Sequence, residues 1–245
     1  MTSQVEHFFQ KFKLFFVRNA TFLGSPKRFV VALQHAILPI RQTYAQQKED
    51  ITILKLFNQL DCEDADVSYI DVGANHPSDI SNTYLLYRKG YSGFLVEPNK
   101  ELCRLLSLFR KRDRVLPFGV GLHAGLFPFY VSKTPVSSTF SITHEENYKQ
   151  KFNMSTEKVD YIAVLPLDSL FASIMPKSIG LLSIDVEGWN VEVLKSAKNI
   201  LGISKILCIE YDDAEERSQI LDLCNSFTLV EDNDINLILI RNNLS

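Results

Sequence analysis

The spacing of apolar residues divides the chain into two parts. Residues 8–16 place apolar side chains at i, i+4, i+7 and i+8, the spacing of one helix face, and these are Phe8, Phe12, Phe15 and Phe16. Residues 25–44 predict a second helix that begins at Pro26, a favoured first helical position. Residues 49–60 predict a third helix. We therefore predict an N-terminal helical extension over residues 1–60.

From residue 68 onward, short apolar runs alternate with helical stripes. Continuous apolar runs are typical of buried parallel strands, and they occupy residues 68–74, 93–99, 114–121, 180–188 and 204–213. Strands that alternate with helices predict a doubly wound, mostly parallel α/β sheet. The last two runs, 227–232 and 236–242, predict an antiparallel hairpin at the sheet edge. We therefore predict one α/β domain with a seven-stranded sheet over residues 61–245.

Helices are predicted between these strands. Residues 78–90 carry an apolar stripe that includes Ile80, with Gly90 as the stop signal. Asn99 is placed to cap the next helix, and further helices are predicted over residues 189–197 and 214–224.

Charge and cysteine content narrow the partners and the compartment. The chain has 26 Lys and Arg against 29 Asp and Glu, a net charge of −3, so we predict no nucleic-acid partner. The four cysteines lie far apart and form no zinc or redox spacing, which indicates a reduced, cytoplasmic compartment. No apolar run is long enough to cross a membrane, and no signal peptide is expected.

The N-terminal extension differs in charge from the rest of the chain. Residues 1–48 carry seven Lys and Arg against one acid, and their predicted helices are rich in Phe. Such a basic, amphipathic segment suits peripheral contact with an anionic membrane. The same segment is equally suited to packing against the main domain or to forming a homodimer contact. Both interpretations stay open.

The residues that follow the first two strands of the domain indicate a nucleoside ligand. Ligands of parallel sheets bind outside the carboxyl ends of the strands. The first strand ends in Asp71 and a single glycine, Gly73, and Pro77 removes a backbone donor that a phosphate would use. Glu97 ends the second strand, where an acid accepts ribose hydroxyls. A ribose without a phosphate cradle favours S-adenosylmethionine, with Asp71 either attracting its amino group or ordering the loop.

The segments "YIDVGANHP", "GFLVEPN", "PVSSTF", "LPLDSL" and "LLSIDVEGWNVEVLKS" together resemble the FkbM-type family of S-adenosylmethionine-dependent methyltransferases. The resemblance covers about residues 67–212. It implies a class I methyltransferase fold (Rossmann-like) and O-methylation of sugars or polyketide-like hydroxyls. Members of the family often have the motif Gly-Ala-Asn-x-Gly, and this chain has Pro77 in place of the last glycine. The cofactor-binding residues that we carry over or predict are Asp71, Gly73, Asn75, Glu97, Pro98, Ser137, Ser138 and Asp185.

Methyl transfer to a hydroxyl requires a base that removes the hydroxyl proton. Asp185 and Glu187 lie at the end of the run 180–188, and His76 follows the cofactor loop, so these three are the catalytic candidates. Two of them have a structural alternative, because Glu187 can anchor its loop and His76 can order its own. Ser137 and Ser138 lie in a polar stretch that we interpret as an active-site lid.

Acids at the ends of two neighbouring strands also allow a metal. Asp185, Glu210, Asp212 and Asp213 could hold Mg²⁺, which would bind acceptor hydroxyls and lower the pKa of one of them. Acids in such places also arise as helix caps. The metal ligands therefore stay unassigned, with Mg²⁺ as a possible cofactor.

Together these features predict an S-adenosylmethionine-dependent O-methyltransferase that acts on a hydroxyl of a saccharide or glycoconjugate. The acceptor is expected to be a small molecule or a glycan. Two alternatives remain at this point: a nucleotide-sugar or NAD-binding enzyme on the same fold, and a non-catalytic scaffold with a relict cofactor site.

Overall fold

A computed structural model describes residues 41–132, 138–140 and 156–242. The chain divides into two compact units, Met1–Gln42 and Thr43–Ser245, and the elements below belong to the second. The two helices predicted before residue 41 lie outside the described residues.

The helices and strands follow one another as the sequence pattern predicts over most of the domain. The strands are β1 (Val67–Val72), β2 (Phe94–Val96), β3 (Arg114–Leu116), β4 (Gly119–Val120), β5 (Gly125–Ser132), β6 (Thr156–Leu165), β7 (Ile179–Ile184), β8 (Ser204–Glu210), β9 (Phe227–Asp232) and β10 (Asn236–Arg241). The helices are α1 (Glu49–Gln59), α2 (Tyr84–Arg88), α3 (Lys100–Phe109), α4 (Leu167–Phe171), α5 (Asn190–Lys195), α6 (Lys198–Ile203) and α7 (Ala214–Leu223).

A seven-stranded sheet in the order β3-β2-β1-β7-β8-β10-β9 forms the centre of the domain. Neighbouring strands from β3 to β8 run parallel, while β10 runs antiparallel to both β8 and β9. Every residue of β7 is buried, as a central parallel strand requires. The predicted mostly parallel sheet with an antiparallel edge hairpin is thus confirmed, and its strand order is that of class I methyltransferases.

Helices cover both faces of this sheet. Side chains alternate across the strands, so Ile70 and Val72 join one apolar core with helices α4 to α7, while Tyr69 joins the other. The second core includes Ile53 and Phe57 of α1, so this helix packs on the sheet. The domain boundary at residue 60 stays a prediction, but the contacts of α1 place residues 49–59 with the sheet.

The run at 114–121 was expected to form one strand, and the structure corrects this expectation. It breaks at Pro117, which has no N–H for a strand ladder. Before it, β3 pairs with β2; after it, β4 joins a separate three-stranded sheet in the order β4-β6-β5. This small sheet lies beside the carboxyl ends of the main strands, because β4 follows β3 directly.

The helix predicted over residues 78–90 is also corrected, since α2 covers only Tyr84–Arg88. Ile80 is 47% exposed and has a φ of 53°, so it belongs to no buried stripe. His76 Nδ1 accepts the N–H groups of Ser78 and Asp79, so this side chain orders the loop that precedes α2. Gly90 does end α2, with a φ of 106°.

Two further helical predictions have different outcomes. Asn99 caps α3 as expected, because its side chain accepts the N–H groups of Glu101 and Leu102. The helix expected over residues 189–197 ends at Lys195, and the helix that follows it, α6, was not predicted. Asp168 accepts the N–H groups of Asn199 and Ile200 near the start of α6.

Arg110 is a buried cation that ties α3 to the loop after β1. Its side chain is 1% exposed and its Nε donates to Asp113 Oδ2 at 2.7 Å. Its other nitrogens donate to the carbonyl of Pro77 and to the hydroxyls of Tyr69 and Thr83. Rings of three tyrosines lie within 6 Å of the guanidinium carbon: Tyr69, Tyr84 and Tyr87. The loop 77–83 is therefore anchored to a charge inside the protein.

Replacing Arg110 with Met is expected to lower the free energy of unfolding by about 3–5 kcal/mol, because Asp113 would keep a buried charge without its cation. Urea denaturation followed by circular dichroism measures this. Arg104→Met is the control, since Arg104 pairs with Glu101 on the exposed face of the same helix. The control should change stability by less than about 1 kcal/mol. Equal losses in the two variants would contradict the account.

Candidate active site

A pocket opens at the carboxyl ends of β1, β2, β4 and β7, the place that the parallel sheet predicts. Its polar lining comes from the loops after these strands and from the segment 138–140: Asn75, Glu97, Ser138, Asp185 and Glu187. Its cavity volume is only about 50 Å³, whereas pockets for drug-sized ligands measure about 300–1,000 Å³. A nucleoside would therefore have to displace side chains at the mouth.

Gly73 brings the ends of β1 and β7 into contact. A Cβ atom on this residue would lie 1.8 Å from the carbonyl oxygen of Asp185, and φ is 84°. Only glycine fits both conditions. The missing side chain leaves room for the backbone of Asp185. Gly73 also lines the pocket.

Glu97 presents a buried carboxylate to the pocket. It is 4% exposed; its Oε2 accepts the N–H of Asn75 at 2.9 Å and its Oε1 accepts that of Asn99 at 2.7 Å. Burial raises the pKa of Glu97 to about 7, although these two amides oppose the rise. Each carboxylate oxygen can accept a further hydrogen bond, so the pair suits two neighbouring hydroxyls.

Asn75 supplies a second polar group that faces the pocket. Its φ of 47° is in the left-handed region, which Asn tolerates better than most residues. Its Oδ1 is buried and has no hydrogen-bond partner among the described residues. An unsatisfied buried acceptor costs about 1–3 kcal/mol. A ligand donor at this position would recover that energy.

Backbone donors near the pocket are already used. Gly73 and Ala74 both donate to the carbonyl of Val96, and Asn75 donates to Glu97. The amides of Ser78 and Asp79 bind His76. Since a phosphate cradle consists of available backbone N–H groups, this loop is poorly suited to a pyrophosphate.

Asp71 faces away from the pocket. It accepts the hydroxyl of Thr83 at 2.6 Å. Burial raises its pKa to about 6, while the hydrogen bond from Thr83 and the charge of Arg110 act in the opposite direction. Of the two roles expected from the sequence, these contacts support ordering of the loop. Direct contact with the cofactor stays a prediction.

The other predicted residues are placed as follows. His76 does not line the pocket, and its Nδ1 binds its own loop, so its catalytic role stays a prediction. Pro98 and Ser138 line the pocket. Ser137 lies outside the described residues, as does most of the expected lid.

Three acids meet at the ends of β7 and β8. Carboxylate oxygens of Asp185, Glu187 and Glu210 all lie within 4.8 Å of one another. Burial, and then the charge of Asp185, raises the pKa of Glu210 to about 12. Burial also raises the pKa of Asp185, while the hydrogen bond from Glu210 lowers it. Glu210 therefore holds a proton and donates it to Asp185, which remains the acceptor of the pair.

The backbone at Glu187 is held in an unusual conformation. Its φ is 43°, and its carbonyl accepts the hydroxyl of Thr139 at 2.7 Å. Positive φ at a non-glycine residue persists only where neighbours impose it. Thr139 thereby connects the small sheet to the acid loop and narrows the pocket between them.

The predicted metal set is only partly brought together. Asp213 caps α7 by accepting the N–H of Glu216, and Asp212 donates its own N–H to Glu216. Within the described residues, Asp185, Glu187 and Glu210 form the group that could hold an ion. Glu187 was expected as a base or a loop anchor rather than as a metal ligand.

Aromatic side chains form a wall of the pocket that sequence reasoning did not identify. Phe118, Phe129 and Phe140 line it, and Phe140 stacks on Trp189 with ring centroids 5.1 Å apart. Trp189 also meets Phe127, so its observed contacts are packing contacts. Phe129 belongs to β5, and the sequence alone does not reveal which residues the buried face of this strand meets.

Comparison with known proteins identifies the family. The profile of the methyltransferase FkbM domain matches residues 71–242, which is more than half of the chain, so this protein belongs to that family. The expected resemblance is confirmed. A search of curated proteins finds no significant match.

Several solved structures resemble the chain weakly. The N-terminal domain of human METTL16 in complex with SAH is 9% identical, covers 89% of this chain and 82% of its own, and has a TM-score of 0.43. Magnesium protoporphyrin IX methyltransferase (ChlM) from Synechocystis PCC 6803 with bound SAM is 8% identical, with coverages of 93% and 97% and a TM-score of 0.37. A putative RNA methyltransferase, PH1948 from Pyrococcus horikoshii, is 15% identical, with coverages of 89% and 98% and a TM-score of 0.37. The family assignment rests on the profile match and not on these scores.

None of the helices in the described ranges is long and apolar enough to span a bilayer.

Replacing Gly73 with Ala is expected to lower the free energy of unfolding by about 2–5 kcal/mol, through the overlap with Asp185 and the positive φ. Chemical denaturation measures the loss. The matched control is Gly202→Ala in α6, where an added Cβ meets nothing within 4 Å. The control should be neutral or stabilising by up to about 1 kcal/mol. A Gly73→Ala protein as stable as this control would refute the contact.

Proposed function

We propose that this protein is an S-adenosylmethionine-dependent O-methyltransferase that acts on a hydroxyl of a saccharide or glycoconjugate. One observation carries the cofactor assignment: Glu97, whose buried carboxylate accepts the backbone N–H of Asn75, lines the same pocket as Asn75, whose Oδ1 has no hydrogen-bond partner among the described residues. A ribose diol supplies two O–H donors to the carboxylate, and a ligand N–H or O–H satisfies the amide oxygen.

The lack of a phosphate site supports S-adenosylmethionine over NAD or a nucleotide sugar. The amides of residues 73–75, 78 and 79 are bound within the protein, and Pro77 has none. The cofactor's adenosine and methionine parts carry no phosphate, so they require no such donors. Phe118 and Pro98 offer apolar surface for the adenine ring.

Asp185 is the proposed base. When bound, S-adenosylmethionine supplies the methyl group and leaves as a neutral thioether. Asp185 lines the pocket and would accept the proton that the acceptor hydroxyl loses. Glu210 donates its own proton to one side of Asp185, which keeps that carboxylate ionised and fixes its orientation. Glu187 would accept a hydrogen bond from a second hydroxyl group of the molecule that is methylated.

Two features support a saccharide as the proposed acceptor: the family resemblance and this pair of acids. Sugars present neighbouring hydroxyls, and two carboxylates side by side can accept hydrogen bonds from both. We also propose a cytoplasmic location, and a contact of residues 1–60 with a membrane or with a second copy of the chain.

Mg²⁺ is a second way to use the same acids. Asp185, Glu187 and Glu210 would supply three oxygen ligands, as the ion prefers. Glu210 would first have to release the proton that its raised pKa retains. For this reason we favour the metal-free base.

Asp185→Asn is expected to lower kcat for labelled methyl transfer into a glycan extract by at least about 10²-fold, because the base is lost. Its affinity for S-adenosylhomocysteine should stay within about threefold of the wild-type value, a difference below 1 kcal/mol. Asp222→Asn, on the exposed surface of α7, is the control. Chelation by EDTA should leave wild-type activity unchanged. Loss of activity that Mg²⁺ restores would instead favour the metal.

Affinity for S-adenosylhomocysteine is expected to fall as pH drops from 8 to 6. The ionised form of Glu97 accepts the diol, and its pKa of about 7 means that the carboxyl is increasingly protonated below that pH. The loss approaches about tenfold per pH unit below the pKa. Calorimetry at pH 6, 7 and 8 measures it, and Glu97→Gln should bind weakly with little pH dependence. Equal pH profiles for both proteins would exclude Glu97 as the titrating group.

A further inference from the structure

A second cleft, of about 320 Å³, lies at the opposite edge of the main sheet. It is formed by the residues that begin the strands: Val67 of β1, Phe94 of β2 and Arg114 of β3. Ile174 and Pro176, which precede β7, close another side. β1 has six residues, and a strand of that length spans about 20 Å, so the cleft is well separated from the pocket at the carboxyl ends.

Arg112 and Arg114, in the sequence "RDR" (residues 112–114), place two positive charges in this cleft. The acid between them, Asp113, pairs with a different cation. Asp113 points into the protein, where its Oδ2 accepts Arg110 Nε and its Oδ1 accepts the Tyr69 hydroxyl and the Gly93 amide. Arg112 and Arg114 line the cleft and are exposed. Asp113 therefore neutralises a buried cation rather than its two sequence neighbours.

Both guanidinium groups are held in place by aromatic rings. Arg112 lies 3.9 Å from the centroid of the Tyr87 ring and donates to the Tyr87 carbonyl. Arg114 lies 5.6 Å from the centroid of the Phe94 ring, and no carboxylate pairs with it among the described residues. Cations that are ordered before binding lose less entropy when a ligand arrives.

One acid, Asp66, also lines the cleft. Its Oδ2 accepts the N–H of Lys177 at 2.8 Å, and its own N–H donates to Ser178 Oγ at 3.2 Å. These contacts hold Asp66 against the segment before β7. The balance of charge in the cleft is therefore two cations against one anion, in a chain whose net charge is −3.

We propose that this cleft binds a tetrahedral oxyanion, namely phosphate or a phosphate ester. Two planar guanidinium groups match the geometry of phosphate oxygens. The apolar floor formed by Phe94, Ile174 and Pro176 leaves room for the carbon part of an ester. The assignment is independent of the methyltransferase pocket and of its cofactor.

Calorimetric titration of the full chain with inorganic phosphate tests the proposal. The wild-type protein should bind phosphate, and the affinity should fall as NaCl rises. Arg114→Gln should weaken binding at least about tenfold, the effect of losing one charge-assisted contact. Arg104→Gln on α3 and Glu97→Gln in the pocket should bind like the wild type. Amide shifts in NMR spectra should concentrate at Ser92 and Gly93.

The results separate the possible outcomes clearly. A sugar phosphate that binds more tightly than inorganic phosphate would support an ester ligand, and equal affinities would support the free ion. No phosphate binding by the wild type would overturn the proposal. So would unchanged affinity in Arg114→Gln, or shifts confined to residues around Glu97.

Discussion

The contact between Gly73 and the carbonyl of Asp185 is the constraint on which the site depends. It brings the ends of β1 and β7 closer than any side chain would allow. This contact positions two loops. One loop brings Asn75 to Glu97, and the other carries Asp185 and Glu187. A proposed cofactor residue, Asn75, and the proposed base, Asp185, therefore lie next to one junction at the centre of the sheet.

Burial of charge gives these loops their chemistry. Desolvation raises the pKa values of four acids: Asp71, Glu97, Asp185 and Glu210. The neighbouring hydrogen-bond donors and charges differ from one acid to the next. Asp71 is held by Thr83 and by the charge of Arg110, and it orders a loop. Glu97 has two backbone amides and an open side. Asp185 and Glu210 share a proton. One physical effect thus acts on an acid that orders a loop, on the proposed ligand acceptor Glu97 and on the proposed base Asp185.

The parallel sheet, its antiparallel edge and the location of the pocket could be predicted from the sequence, because strands and switch points leave local patterns. Gly73, Glu97 and Asp185 were identified for the same reason. The orientation of Asp71 could not be, since it depends on Thr83 and Arg110, far apart in sequence. The break at Pro117 has a local cause, the missing N–H of proline, whereas the exposure of Ile80 goes with hydrogen bonds of His76 that form in the folded chain. The wall of Phe118, Phe129 and Phe140 requires the pairing of β5 with β6, which a single sequence does not specify.

Two calorimetric titrations of the wild-type chain, one with S-adenosylhomocysteine and one with NAD, test the central claim most directly. The account predicts saturable binding of S-adenosylhomocysteine at one site per chain and no binding of NAD, because Glu97 after β2 offers a diol acceptor, while the amides of residues 73–75, 78 and 79 after β1 are already bound within the protein. Absence of heat with S-adenosylhomocysteine, or saturable binding of NAD, would contradict it.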